Sequence, residues 1–172
     1  MTVLLAKHAG FCWGVRRVVR MVEEHAQRAA RPVYTFGPVI HNSAVNERLA
    51  QHGVRVIPPD AADAQLAALE SDALVIVRAH GVPPDEYTRL QRAGFTIVNG
   101  TCPHVENIQR LVAEAHRAGR TVVILGDAHH AEVIGLLGFC ANAGHVMQTP
   151  AQLPALQAQT REIGRASCRE RV

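Results

Sequence analysis

Short runs of β-branched residues alternate with amphipathic segments of helical spacing along most of this chain. The predicted strands cover residues 2–5, 33–36, 54–57, 73–77, 95–98, 121–125 and 145–147. The predicted helices begin after Gly14, cover 43–52, 60–69 and 84–93, run from Cys102 to Gly119, cover 133–139 and begin again at Pro150. Strands separated by crossover helices predict an α/β protein with mainly parallel sheets.

Capping residues and apolar faces support the helix assignments. Asn42 is a predicted N-cap, Gly53 a predicted stop, and Thr149 followed by Pro150 a predicted helix start. The helix after Cys102 has an apolar face that we predict from five residues: Val105, Ile108, Leu111, Val112 and Ala115. Isolated cysteines are mostly small buried hydrophobes, and we expect this of Cys140.

Composition and charge exclude several classes of protein. The 172 residues are 48% hydrophobic, which excludes wholesale disorder. No long uncharged apolar stretch predicts a membrane span, and no signal peptide is recognisable. A net charge of +3 with 4% aromatic residues argues against nucleic acid as a partner. The cysteines form no close pairs, so we expect a reducing, cytoplasmic location.

The C-terminal segment 162–172 differs from the rest of the chain. It carries five charged residues and Cys168, and it does not continue the preceding pattern. It resembles a translated sequencing-adapter read-through, which we exclude from fold reasoning. We therefore expect the natural sequence to stop near Arg161 at an accidental break.

Cysteine and histidine residues follow predicted strands at five places. Cys12 follows the first strand, His41 the second, His80 the fourth and Cys102 the fifth, and a final group follows the sixth strand: His129, His130 and Glu132. In open α/β sheets, ligands bind beyond the carboxyl ends of the strands. This recurrence predicts a single ligand site there.

The residue types in these loops suggest a metal beside an anion. Helix starts favour the thiolate form of cysteine, which binds metals, and their backbone N–H groups favour phosphate. Gly10 and Gly14 bracket Cys12 and let the backbone approach a bulky ligand closely. Cysteines that are 90 positions apart leave the identity of the metal open.

Five motifs in order resemble the LytB-type 4-hydroxy-3-methylbut-2-enyl diphosphate reductases. They are Gly-Phe-Cys-Trp-Gly around Cys12, Val-Ile-His-Asn at His41, Ala-His-Gly-Val at His80, Thr-Cys-Pro at Cys102 and His-Ala-Glu-Val from His130. Their order and approximate spacing agree with the N-terminal part of that family over residues 1 to about 150. The resemblance therefore covers nearly all of the sequence before the suspect tail.

The resemblance implies repeated three-layer α/β domains around a central 4Fe–4S cluster, with a third domain missing here. Cys12 and Cys102 match two of three cluster ligands, and the third cysteine is absent. Three histidines match residues that hold the substrate diphosphate: His41, His80 and His130. Glu132 matches the acid that relays protons to the departing hydroxyl.

The implied reaction is the last step of the non-mevalonate isoprenoid pathway. An allylic diphosphate loses its hydroxyl reductively and becomes isopentenyl and dimethylallyl diphosphates. Its two electrons come singly from a ferredoxin or flavodoxin. Because the third ligand is missing, we expect the fragment itself to be inactive.

The resemblance also suggests domain boundaries, and the sequence departs from the family motifs at two places. We expect an N-terminal strand and ligand loop over 1–13, a first α/β domain over 14–102, a truncated second over 103–161 and a non-native tail over 162–172. Ala131 stands where the family usually has proline. His129 makes the register of its loop ambiguous by one residue, and the spacing to Glu132 favours His130.

Two other functions remain open at the level of sequence. One is a Cys/His zinc-dependent hydrolase, although closed zinc sites normally contain close ligand pairs. The other is a non-enzymatic phosphate-binding α/β module with structural cysteines. Colour and iron content distinguish the zinc hydrolase from the iron–sulfur reductase, and a Cys12→Ser variant that retains ligand binding would indicate the phosphate-binding module.

Overall fold

A computed structural model describes residues 3–4, 9–28 and 30–157 of the chain. The predicted strand over 2–5 falls partly outside these residues. Val3 and Leu4 lie in no regular element and are 77% and 90% exposed. The segment 162–172, including Cys168, also lies outside the described residues.

The first sheet has four parallel strands, which connecting helices separate in sequence. The strands are β1 (Val33–Phe36), β2 (Arg55–Ile57), β3 (Leu74–Val77) and β4 (Thr96–Asn99), in the order β2-β1-β3-β4. The helices are α1 (Trp13–Arg28), α2 (Ser43–Gln51), α3 (Asp63–Ala67) and α4 (Pro84–Arg92). The prediction of a parallel α/β sheet is confirmed.

Helices cover both faces of this sheet and form two separate cores. On one face, Val18 and Val22 of α1 pack with residues of α2, β1 and β3. On the other face, Leu66 of α3 and Leu90 of α4 pack against Val75 of β3. Parallel strands need this double cover, which explains why every residue of β3 is apolar and buried. The arrangement has three layers.

A second, smaller sheet follows. Strands β5 (Val123–Leu125) and β6 (His145–Met147) pair in parallel. They are accompanied by α5 (Pro103–Arg117), α6 (Ala131–Gly138), a short 3₁₀ turn (Pro150–Gln152) and α7 (Leu153–Gln157). Their core contains Ile108, Val112, Leu136 and Cys140, and the thiol of Cys140 is fully buried as predicted.

Most element boundaries agree with the predictions, but the extent of α3 and the buried face of α5 differ. Asn42 caps α2 by accepting a hydrogen bond from the backbone N–H of Val45, at 3.1 Å. The helix predicted over 60–69 is only α3, because backbone turns occupy the residues on both sides of it. Leu111 is 39% exposed, since the buried face of α5 is rotated toward Gln109.

None of the helices in the described ranges is long and apolar enough to cross a membrane.

Candidate functional site

Predicted ligand residues follow three neighbouring strands of the first sheet. His41 comes after β1, His80 after β3 and Cys102 after β4. Since these strands are parallel, their carboxyl ends lie at the same edge. The backbone N–H of Cys102 donates to the carbonyl oxygen of Ala79, at 2.9 Å, and so joins the loops that carry Cys102 and His80.

Each predicted cluster cysteine directly precedes a long helix. The carbonyl oxygen of Cys12 accepts from Arg16 in the first turn of α1, at 3.0 Å. The carbonyl oxygen of Cys102 accepts from Glu106 in the first turn of α5, at 2.9 Å. Cys12 is exposed and Cys102 is half-buried, and both are free thiols.

Gly14 lies directly against the thiol of Cys102. A Cβ atom at Gly14 would be 2.6 Å from Cys102 Sγ and 3.1 Å from its Cβ. The sequence suggested that the glycines beside Cys12 admit a bulky ligand, and for Gly14 the close neighbour is the second thiol. Gly14, in the first turn of α1 two residues after Cys12, therefore contacts the loop that presents Cys102.

The structure brings three predicted histidines together. The ring centroids of His41 and His80 are 6.0 Å apart, and those of His80 and His130 are 5.4 Å apart with perpendicular planes. His80 thus lies between the other two, although the three residues come from loops far apart in sequence. Imidazole N–H groups in such a cluster can donate to several oxygens of one anion.

His80 lies in a partly desolvated environment. Burial, and secondarily the positive charge of Arg78, lower the pKa of His80 from 6.5 to about 4. Its ring is therefore neutral near pH 7. The buried Nδ1 of His80 has no hydrogen-bond partner among the described residues, and buried polar atoms without a partner are uncommon in folded proteins.

Sequence reasoning gave Arg78 no role, and the structure places it beside the histidine cluster. Its guanidinium contacts Gly37, where a Cβ atom would be 2.8 Å from Nη1. Gly37 has φ of +74°, a backbone conformation that also favours glycine. Burial lowers the pKa of the Arg78 guanidinium, which stays charged at neutral pH. The feature of the sequence that could have identified Arg78 is its single charge directly after the apolar run of β3.

His130 is the N-cap of α6 and Glu132 lies in its first turn, whereas the sequence predicted a loop over 126–132 and a helix only from Val133. The helix begins at Ala131 because Nδ1 of His130 accepts from the backbone N–H of Glu132, at 3.3 Å. With Nδ1 accepting, Nε2 is the ring atom of His130 that can donate an N–H to a ligand. His129 is exposed, and its backbone N–H donates to Asp127. This geometry favours His130 over His129 as the member of the cluster.

The described residues provide two thiols for a metal and no larger set. In the parts of the chain that the structure covers, no three His, Cys, Asp or Glu residues are grouped to hold a metal ion. Two cysteine thiols at helix starts fit part of the ligand set of an iron–sulfur cluster, which prefers cysteine sulfur. A closed zinc site would need four ligands, which these residues do not group.

Comparison with known proteins identifies a matching family model and curated relatives. A family model described as LytB protein matches residues 3–167. The curated 4-hydroxy-3-methylbut-2-enyl diphosphate reductase of Opitutus terrae is 36% identical over 165 residues, which are 94% of this chain and 57% of that protein. The reductase of the same name from Anaeromyxobacter sp. (strain Fw109-5) is 39% identical over 171 residues, 95% of this chain and 58% of that protein.

Two solved structures with titles of the same kind of reductase are similar to this chain in fold. The structure titled as (E)-4-hydroxy-3-methyl-but-2-enyl diphosphate reductase, the terminal enzyme of the non-mevalonate pathway, is 35% identical with a TM-score of 0.74. The match covers 89% of this chain and 53% of that one. A Plasmodium falciparum structure with 23% identity and a TM-score of 0.77 shares the fold and covers 86% of this chain and 45% of its own. The chain thus spans about half the length of the relatives it matches.

Proposed function

The chain belongs to the LytB protein family, and from this premise we propose that its full-length protein is a 4-hydroxy-3-methylbut-2-enyl diphosphate reductase. The substrate is the allylic diphosphate, and the products are isopentenyl and dimethylallyl diphosphates. The observation that carries the proposal is the convergence of His41, His80 and His130 at the edge of the sheet where Cys102 also lies. Three imidazoles suit a diphosphate, and a thiolate suits an iron–sulfur cluster.

Cys12 and Cys102 are the proposed ligands of a 4Fe–4S cluster, whose third cysteine lies outside this chain. When bound, the cluster supplies single-electron transfer and a Lewis-acidic iron for the hydroxyl group of the substrate. The contact between Gly14 and Cys102 supports this assignment, because it holds the two thiol-bearing segments together. A ferredoxin or flavodoxin is the proposed electron donor.

The histidine cluster is the proposed binding site for the diphosphate. His80 is neutral near pH 7 and can donate one N–H, and His130 directs its N–H through Nε2. A neutral His80 leaves the negative charges of a diphosphate unbalanced. The charged guanidinium of Arg78 lies beside His80, lowers its pKa and provides a permanent positive charge.

Glu132 is the proposed proton donor to the leaving hydroxyl. It lies in the first turn of α6, two residues after His130. A carboxyl group on a helix can hold a fixed position relative to a bound substrate more firmly than one in a loop. Its task is to deliver a proton as the carbon–oxygen bond breaks, since water leaves more easily than hydroxide.

We also propose that the first domain covers 14–102 and the second 103–161, with 1–13 and the tail 162–172 outside them. The separate sheets of β1–β4 and β5–β6 support this division. A cytoplasmic location is proposed as well, and the free thiols of Cys12, Cys102 and Cys140 support a reducing compartment.

Anaerobic reconstitution of the uninterrupted gene product tests the function. We expect a brown protein with about four irons per chain, in line with a 4Fe–4S cluster. With a reduced dye as electron donor, it should convert the allylic diphosphate to the two isoprenoid diphosphates. A protein that takes up one zinc and no iron, or that has iron but leaves this substrate unchanged, would contradict the proposal.

A further inference from the structure

Arg17 joins the helix that follows Cys12 to the loop that ends in Cys102. Its Nη1 donates to the carbonyl oxygen of Gly100 at 3.3 Å and to that of Thr101 at 3.1 Å. The bonded residues lie 83 and 84 positions apart in sequence. Arg17 is half-buried, whereas the neighbouring Arg16 is exposed. The two arginines therefore have different environments although they are adjacent.

The same two segments also touch through glycines. Gly14 contacts Cys102 Sγ, and a Cβ atom at Gly100 would be 2.6 Å from Cγ2 of the fully buried Val18 and would overlap the carbonyl oxygen of Val77. Side chains at either glycine would push α1 away from the loop. The close approach leaves the guanidinium of Arg17 within reach of two consecutive carbonyl groups.

The remaining hydrogen bonds of the loop do not involve α1. The backbone N–H of Cys102 donates to Ala79, and that of Thr101 donates to Oδ1 of Asn99, at 3.0 Å. They attach the loop to the segment that follows β3 and to the last residue of β4. Among the hydrogen bonds of the described residues, those that join this loop to α1 come from Arg17.

We propose that Arg17 is a positioning residue that fixes the separation of the Cys12 and Cys102 thiols before a metal centre is assembled. A charged donor shared by two carbonyl oxygens resists both sliding and rotation of α1 against the loop. The planar guanidinium suits this role better than a lysine ammonium, because it keeps a fixed orientation while donating to both oxygens. The inference rests on the proposed cluster site, and its test needs no metal.

Crosslinking of the two thiols in the metal-free protein tests the role of Arg17. The uninterrupted apoprotein is treated anaerobically with dibromobimane, which bridges thiols that are close together, and mass spectrometry quantifies the Cys12–Cys102 product. We expect Arg17→Gln to lower the crosslinking rate by roughly tenfold, the scale of losing hydrogen bonds from a charged donor. Arg16→Gln is the matched control and should crosslink like the wild type.

Further measurements separate positioning from folding. With monobromobimane, which reacts with single thiols, both cysteines of Arg17→Gln should label at the wild-type rate. Should Arg17→Gln fail to fold, Arg17→Lys keeps the charge and is expected to crosslink at an intermediate rate. Wild-type crosslinking in a folded Arg17→Gln protein, or in Arg17→Lys when the glutamine variant does not fold, would overturn the proposal.

The test is independent of the reductase proposal. If the wild-type protein fails to bind iron, the cluster assignment is wrong, but the crosslinking rates still report on the geometry of the thiols. If the wild-type protein binds four irons and Arg17→Gln crosslinks normally, the positioning role is wrong and the cluster assignment remains.

Discussion

Replacement of Gly14 by alanine tests the contact on which the proposed cluster site depends. Gly14 lies in the first turn of α1, where alanine normally stabilises a helix by up to about 1 kcal/mol relative to glycine. At Gly14, however, the new Cβ would be 2.6 Å from Cys102 Sγ, well inside ordinary contact distance. Relief of such overpacking typically costs about 1–3 kcal/mol.

The steric cost exceeds the helical gain, so we expect Gly14→Ala to destabilise the apoprotein by roughly 0–2 kcal/mol. The short side chain of Cys102 can relieve the overlap only by moving its sulfur or the loop. We therefore also expect the labelling rate of Cys102 to change and the iron content after reconstitution to fall.

Gly135→Ala provides a matched control within another helix. Gly135 is a buried residue of α6, and its added Cβ would be 3.7 Å from the carbonyl oxygen of His80, an ordinary contact. This variant should be unchanged or more stable by up to about 1 kcal/mol. Urea unfolding measures the stability of both variants, and thiol labelling shows whether the environment of Cys102 has changed. The reasoning is refuted if Gly14→Ala matches Gly135→Ala in stability and leaves Cys102 labelling unchanged.

Three other predictions concern the site and the fragment. Glu132→Gln should retain the cluster and substrate affinity but lose at least roughly 10²-fold in turnover, as expected of a lost general acid, and near-normal turnover would contradict the assigned role. Because the folded-state pKa of His80 is lowered from 6.5 to about 4, its neutral form favours folding above pH 6.5, and this contribution is lost as the pH falls toward 4. The urea midpoint should therefore fall less steeply between pH 6.5 and 4 in His80→Asn than in the wild type. An equal pH dependence of the midpoint in the two proteins would exclude His80 as its cause. Finally, the 172-residue chain expressed by itself should aggregate and show no turnover with a reduced dye, partly because Val3 and Leu4 are exposed, and steady substrate conversion would contradict this expectation.

Local patterns predicted most of the elements, because each depends on neighbouring residues. The four-residue apolar run of β3, the cap formed by Asn42 and the left-handed Gly53 after α2 are all determined within one short segment. The errors occurred where local signals compete. The start of α6 was missed because its N-cap is a histidine side chain, an unusual capping group that sequence rules do not anticipate.

The sequence by itself determined which residue types follow each strand, and the parallel α/β pattern implied that they share one edge. It could not determine which of them touch, because that depends on how two sheets and their helices pack. Only the tertiary structure placed His80 between His41 and His130 and Gly14 against Cys102 Sγ. Arg17 and Arg16 look alike in sequence, and only packing makes one half-buried and bonded to a loop more than 80 residues away. Such long-range contacts arise from the burial of apolar faces, whose geometry no short segment specifies.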